Sequence, residues 1–342
     1  MFRIGKVELD GHAVLAPMAG LTDRAFRSIA RRCGAALVYT ELIRARSVLE
    51  GGSKMWRLLD MGENEHPIGV QLYGGDPTIL AQAAQRVADE VKPDIIDLNM
   101  GCPVPKIVSR GEGAALMRDP TLIGRLVRAV VDAVELPVTV KIRAGWDDST
   151  INAVEVAQII EDNGAKAVAI HARTRAMGHD GTPLWELLGD VRQRVDIPVL
   201  GNGGVFSAAD AVAMRAQTGV DAVMVARGAV GNPWLFAQIN EIWDGLEPSD
   251  PRYDSRRAIV DEHVRSVIDA FERAGLPSSE ARACRYIRGH LIRYAAPLPG
   301  SAQFRRSLNG LNDHQSIMDA LDRASRPLPN VAGEGRLLDP RS

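Results

Sequence analysis

Ile95-Ile96-Asp97-Leu98-Asn99-Met100-Gly101-Cys102-Pro103-Val104-Pro105-Lys106 is the stretch on which the reading of the chain turns. Its first four residues form an apolar run of the kind found in a buried strand. The pattern breaks at Gly101, and Cys102 is followed at once by Pro103. Proline cannot extend a hydrogen-bonded ladder and holds the residue before it in extended geometry. The Cys102 thiol is therefore predicted where a strand gives way to a loop. In parallel-strand enzymes that edge carries the reactive groups. These residues alone also allow a small packing thiol, since free cysteine is among the most buried residue types.

Working outward, seven further runs of the same kind flank this one: Ala13–Ala16, Ala36–Tyr39, Ile68–Leu72, Val138–Ile142, Ala167–Ile170, Pro198–Gly201 and Ala222–Val225. Stretches with helical spacing lie between them, among them Pro77–Val91, Leu122–Val134, Ile151–Asn163 and Ala208–Thr218. Eight such alternations predict an α/β fold, a (β/α)8 TIM barrel, rather than an open doubly wound sheet. Two short strands, around Ile4 and over Val7–Leu9, are expected to plug its bottom. The β signal stops after Trp243, and Leu246-Glu247-Pro248-Ser249-Asp250-Pro251 reads as a linker. The expected organisation is a catalytic barrel over 1–245, a small C-terminal helical domain over 252–326 and a loose tail over 327–342. Breaks in the helical domain are expected at Gly275-Leu276-Pro277 and Pro297-Leu298-Pro299-Gly300.

Charge is unevenly spread. The whole chain carries −2, yet residues 251–342 hold 15 arginines and no lysine against 11 acidic residues. Arginine is the better fork for phosphate. Cys33, Cys102 and Cys284 are far apart, without Cys-x-x-Cys or zinc spacing, so no disulfide frame and no metal site is expected. No apolar run reaches the ~18 residues of a membrane span, and the N-terminus lacks a signal-peptide core. A cytoplasmic protein is expected, with no membrane association and no obligatory protein partner.

The strand ends gather unlike polar groups at one rim: Gln71, Asn99, Cys102, Lys141, Arg143, His171 and Arg173. A structural barrel has no need of a lysine at the end of a buried strand. Asn202-Gly203-Gly204 and Ala226-Arg227-Gly228 follow the seventh and eighth strands, where loops of this fold commonly bind phosphate. No dinucleotide fingerprint and no P-loop is present, which favours a single terminal phosphate, as on FMN. Lys141 would then meet the ring system and stabilise negative charge on the reduced flavin.

These segments, with Ala16-Pro17-Met18-Ala19-Gly20-Leu21-Thr22-Asp23-Arg24, Gln71-Leu72-Tyr73-Gly74 and His171-Ala172-Arg173-Thr174-Arg175, resemble in order the motifs of the tRNA-dihydrouridine synthases, most closely the bacterial B-type subfamily. The resemblance implies an FMN enzyme that takes hydride from NADPH (NADH being the alternative) and reduces the C5–C6 double bond of a tRNA uridine. It implies that Pro17, Met18, Ala19, Gln71, Lys141, His171, Asn202, Gly203, Gly204, Ala226 and Arg227 hold FMN. Cys102 matches the residue that protonates C5, and Asn99 and Arg173 are the candidates for the base. An ordinary thiol, pKa ~8.5, is mostly protonated at neutral pH and can serve as an acid. In the tail, Ile287-Arg288-Gly289-His290-Leu291-Ile292-Arg293-Tyr294 matches the family's Met-Arg-Lys-His-x-x-Trp-Tyr only loosely, with Gly289 for Lys and Arg293 for Trp.

Arg282 to Arg306 contains six arginines and no acid. Arg282, Arg285 and Arg288 are spaced to share one helix face, and are expected to contact tRNA phosphates. His12, His66, His179 and His314 form no ligand set. Trp56, Trp146, Trp185 and Trp234 are expected as packing anchors, and Asp147-Asp148 as a cap for the following helix. A dehydrogenase of free pyrimidines would share the barrel and the cysteine but has no use for a basic tail. A non-catalytic RNA-binding protein has no use for Cys102 and Lys141.

Overall fold

A computed structural model of the chain describes residues 2–326, which divide between Pro251 and Arg252 into two compact units. The expected tail, 327–342, lies outside the described residues.

The first unit has eleven strands: β1 (Phe2–Ile4), β2 (Val7–Leu9), β3 (Ala13–Leu15), β4 (Val38–Tyr39), β5 (Ile43–Arg44), β6 (Ile68–Tyr73), β7 (Ile95–Asn99), β8 (Val138–Arg143), β9 (Ala167–His171), β10 (Val199–Asn202) and β11 (Ala222–Val225). β3, β11, β10, β9, β8, β7, β6 and β4 pair in that order, all parallel, and a bridge from Val14 to Leu37 closes the ring. This is the expected (β/α)8 barrel. β1 and β2 form an antiparallel hairpin whose Ile4 and Leu9 are fully buried among Val14, Ile95, Leu200 and Ala222, plugging the barrel as predicted. A second, larger core lies between the strands and the helices, because each strand is apolar on both faces.

Helix starts follow a simple grammar. Asp76 accepts from the Ile79 N–H and Asp119 from the Leu122 N–H, and each is followed by proline in the first turn. Proline fits there because its missing N–H would have been unpaired anyway. The helix expected from Leu122 accordingly begins at Pro120 and runs to Ala133. Ser207 and Asp210 make a reciprocal capping box on Ala208–Thr218. The Asp147-Asp148 pair departs from expectation. Asp147 accepts from Ser149 and Thr150 within its own turn and Asp148 accepts from Thr174, while the helix Ala153–Asp162 starts at Asn152. Two features were not foreseen. β5 and the helices Ala45–Glu50 and Ser53–Leu58 follow β4, and a turn of helix, Pro105–Val108, with a 3-10 segment, Gly113–Arg118, follows Cys102.

The second unit is helical: Tyr253–Arg273, Ser279–Tyr286, Arg288–Tyr294, Ser301–Ser307 and His314–Ser325. The breaks at 275–277 and 297–300 fall where expected. Another falls at Ile287, so Arg282 and Arg285 share a helix while Arg288 opens the next one. Its core includes His263, His290 and Tyr294, with the Tyr294 hydroxyl 3.1 Å from His263 Nδ1. Among the described residues no helix is long and apolar enough to cross a membrane.

Candidate active site

A cavity of about 1030 Å³ opens at the C-terminal ends of the barrel strands. Its walls bring together Pro17, Met18, Ala19, Asn99, Cys102, Lys141, His171, Arg173, Asn202, Gly203, Gly204, Ala226 and Arg227. These residues are scattered over more than 200 positions of sequence and meet because parallel strands deliver their ends to one rim. Gln71 is the exception among the expected cofactor residues. It is fully buried beneath the cavity floor, bonded to Asp97 and Asn99. Arg282, Arg285 and Arg288 belong to the helical unit. Arg282 and Arg285 are exposed, whereas Arg288 is half-buried and donates to Asn309.

Cys102 sits on a tightly held turn. Asn99 Oδ1 accepts from the Cys102 N–H at 2.9 Å and the Gly101 N–H at 3.2 Å. The buried Arg143 donates Nε to the Gly101 carbonyl at 2.8 Å, and Nη1 to the carbonyls of Thr174 and Gly178 at 2.9 and 2.8 Å. Gly113 closes against the thiol's own backbone. Its φ is +63°, and a Cβ there would lie 2.8 Å from the Cys102 oxygen. Burial pushes the Cys102 thiol up from its ordinary value, while a hydrogen bond from the Val104 backbone and the Arg143 charge act the other way. The thiol therefore carries its proton at neutral pH.

Lys141 lies at the cavity wall. Its ammonium makes no hydrogen bond or ion pair with the described residues. Burial drives its pKa down to about 7, with help from the Arg143 charge and against that of Asp97. His171 is held neutral mainly by burial, then by the charges of Lys141 and Arg143. Its Nε2 faces Arg173 Nη1 at 3.4 Å, and its ring stacks on His179 with centroids 5.7 Å apart. Arg173 spends most of its guanidinium on a loop, donating to the carbonyls of Asp180 and Gly181. The Met18 backbone is likewise occupied, its N–H by Thr22 Oγ1 and its carbonyl by Leu21 and Thr22, whereas the Ala19 amide has no partner among the described residues.

The far wall presents backbone amides that lack a partner. The backbone N–H groups of Gly203, Gly204, Arg227 and Gly228 donate to no acceptor among the described residues. Gly203 and Gly204 have φ of +113° and +83°, and a Cβ on either would fall within 3 Å of His171 or Pro183. Only glycine takes this backbone conformation in the space available. The Trp185 indole donates to the Gly203 carbonyl at 2.9 Å and fixes the turn from behind. Sequence reasoning placed Trp185 as an anchor without seeing what it anchors. It gave Arg143 no task and left His179 outside the site. Nothing in the local pattern says that a loop residue eight positions past a strand end folds back over it.

The FMN expected at this site fits these residues. Unpaired amides and Arg227 suit a terminal phosphate, and an unpaired ammonium at the cavity wall suits an electron-rich ring. A model of the dihydrouridine synthase family matches residues 14–328. The chain is 41% identical over 314 residues to the tRNA-dihydrouridine synthase B of Pseudomonas aeruginosa, covering 91% of this chain and 92% of that protein. It is 39% identical over 324 residues to a probable tRNA-dihydrouridine synthase of Rickettsia bellii, covering 94% and 97%. Among solved structures, the old yellow enzyme homologue from Zymomonas mobilis superposes with a TM-score of 0.52 at 12% identity, covering 74% of this chain and 94% of that one. At that identity the likeness speaks for the barrel alone.

Proposed function

The chain belongs to the dihydrouridine synthase family, and from that premise we propose that it reduces the C5–C6 double bond of uridines in tRNA with Cys102 as the proton donor. The observation that carries the reading is that Cys102, Lys141 and the unpaired backbone amides of Gly203, Gly204 and Arg227 all line one cavity. In this reading Asn202, Gly203, Gly204 and Arg227 hold the phosphate of FMN. Pro17, Met18, Ala19, His171 and Ala226 wall its ring system, with Gln71 supporting the floor. Bound there, FMN would supply the redox chemistry: an acceptor for hydride from NADPH, or from NADH in its place, and a hydride donor for C6 of the base.

The chain's own residues do the rest. Cys102 gives its proton to C5, so the base gains one hydride and one proton and the thiol is left as thiolate. Arg143 lowers the cost of that thiolate through its charge, and a proton from solvent restores the thiol. Lys141 stands ready to balance negative charge on the ring. Asn99 keeps one amide hydrogen beyond the bond to Gln71, and Arg173 one cationic edge toward the cavity. These are the groups for the carbonyl oxygens of uracil. A uridine must leave its stack to enter, which costs a few kcal/mol. Phosphate contacts from the exposed Arg282 and Arg285, with Arg288 beside them, offset that cost.

Cys102→Ala tests the assignment. The variant should keep its flavin and its NADPH oxidation by O₂ while flavin reoxidation by tRNA falls by about 10²–10⁴, the usual worth of a placed acid. An unchanged tRNA-dependent rate would remove Cys102 from the mechanism. Recovery of FAD rather than FMN from the heated protein would remove the cofactor assignment.

A further inference from the structure

Beneath the cavity floor a run of hydrogen bonds links a buried carboxyl to the turn that carries Cys102. Thr139 Oγ1 donates to Asp97 Oδ1 at 2.6 Å, and Gln71 Nε2 donates to Asp97 Oδ2 at 2.6 Å. Asn99 Nδ2 donates to Gln71 Oε1 at 2.8 Å, and the Cys102 N–H donates to Asn99 Oδ1 at 2.9 Å. Strand register makes this possible. Gln71 pairs with Asp97 and Asp97 with Thr139, so the three side chains are neighbours in one layer inside the barrel, with Asn99 one layer above. Gln71, Asp97 and Thr139 are all at most 2% exposed.

We propose that Asp97 is a positioning residue for Cys102, acting through Gln71 and Asn99. The physical reason is polarity. A side-chain amide can turn either way, and its oxygen and nitrogen are told apart only by what they face. Here both ends of the run are unambiguous. At the bottom, Asp97 offers oxygen, so Gln71 must present its NH₂ there and its carbonyl upward. Asn99 must then present its NH₂ downward and its carbonyl to the turn. At the top, the Cys102 and Gly101 N–H groups are donors that need that carbonyl. Each link fixes the orientation of the next, and the backbone of Cys102 is held by a group two residues removed from it. The arrangement survives protonation of Asp97, because the carboxyl keeps one oxygen for Gln71 and the Thr139 hydroxyl can turn to accept. The bonds lie in a dry interior, where an amide left unpaired is costly and the coupling between links is strong.

This inference rests on the proposed role of Cys102 for its meaning, but its test does not need that role. Cys102 alkylation by iodoacetamide, read at the Cys102 peptide by mass spectrometry with Cys33 as internal reference, reports on the turn itself. Asp97→Leu removes the acceptor, lets Gln71 and Asn99 turn, and frees the loop. The thiol loses part of the burial that raises its pKa. One pKa unit is tenfold in thiolate below the pKa, so Cys102 alkylation at pH ~8 should quicken by about three- to tenfold, with Cys33 unmoved. Asp97→Asn keeps an oxygen for Gln71 and should stay near wild type. In the same pair of variants, tRNA-dependent flavin reoxidation should fall with Asp97→Leu, in kcat rather than KM, and recover with Asp97→Asn. Should Asp97→Leu fail to fold, Gln71→Met cuts the same run one link higher and carries the same expectations. Alkylation unchanged in a folded Leu or Met variant overturns the proposal, as does an Asn variant as fast as the Leu one. Alkylation that moves as expected in a protein with no activity on tRNA would uphold the positioning and overturn the proposed function instead.

Discussion

Arg143→Met removes a guanidinium that ties two loops to the end of β8 and leaves a side chain of similar length in its place. Three carbonyl oxygens, those of Gly101, Thr174 and Gly178, lose a donor. Arg143 is 2% exposed, so water does not replace those bonds without opening the rim. Leaving a buried acceptor unpaired costs about 1–3 kcal/mol each. Against this stands relief from burying a charge with no carboxylate partner among the described residues, which depresses Arg143 to about 10 through desolvation first and is worth several kcal/mol. The balance is a loss of about 2–4 kcal/mol. For a barrel of this size that is a fall of roughly 5–15 °C in melting temperature, measurable by near-UV circular dichroism of the full chain. Arg143→Lys should fall between, since one ammonium is a point donor and cannot span carbonyls on separate loops. A melting temperature within ~2 °C of wild type for Arg143→Met would refute the idea that these three bonds clamp the rim.

Three further outcomes follow from the geometry. Lys141→Met should slow flavin reduction by NADPH by about tenfold or more, each 1.4 kcal/mol of lost charge stabilisation being a factor of ten, in stopped-flow bleaching; an unchanged rate would leave Lys141 a structural residue. His263, 1% exposed, is driven down to about 3 by burial. Below its unfolded pKa of ~6.5 the unfolded chain binds the proton and the folded one does not, so stability is lost as pH falls from about 6.5 toward 3, by about 2 kcal/mol between pH 6.5 and 5. The gap in melting temperature between wild type and His263→Gln should therefore narrow over that interval, and a constant gap would contradict the burial argument. Arg282→Ala with Arg285→Ala should shallow the log–log salt dependence of tRNA binding by about 1–2, and Arg288→Ala should do less because Asn309 already holds that side chain; slopes matching wild type would place the RNA contacts elsewhere.

The fold was legible in the sequence because a parallel barrel writes itself locally. Strands buried on both faces are continuous apolar runs, helices open on Asp-Pro, and the change at Trp243 is a change of composition. Strand ends can be read for the same reason, which puts Cys102, Lys141, His171 and Asn202 on one rim from the sequence alone. The glycines at 203 and 204 announced a close backbone approach. What the sequence could not say is which hydrogen bond each polar group would make. Gln71 reads as a rim residue like its neighbours. Strand register sinks it one layer and gives it to Asp97 and Asn99, and register is a property of paired strands, not of either strand alone. Arg143, Trp185 and His179 acquire their roles from loops that return across the mouth. The helix expected to carry Arg282, Arg285 and Arg288 on one face breaks at the buried Ile287, which spacing does not encode. Local pattern fixed which residues reach the rim. Tertiary structure fixed their partners, burial and charge, because those depend on neighbours that are distant in the chain.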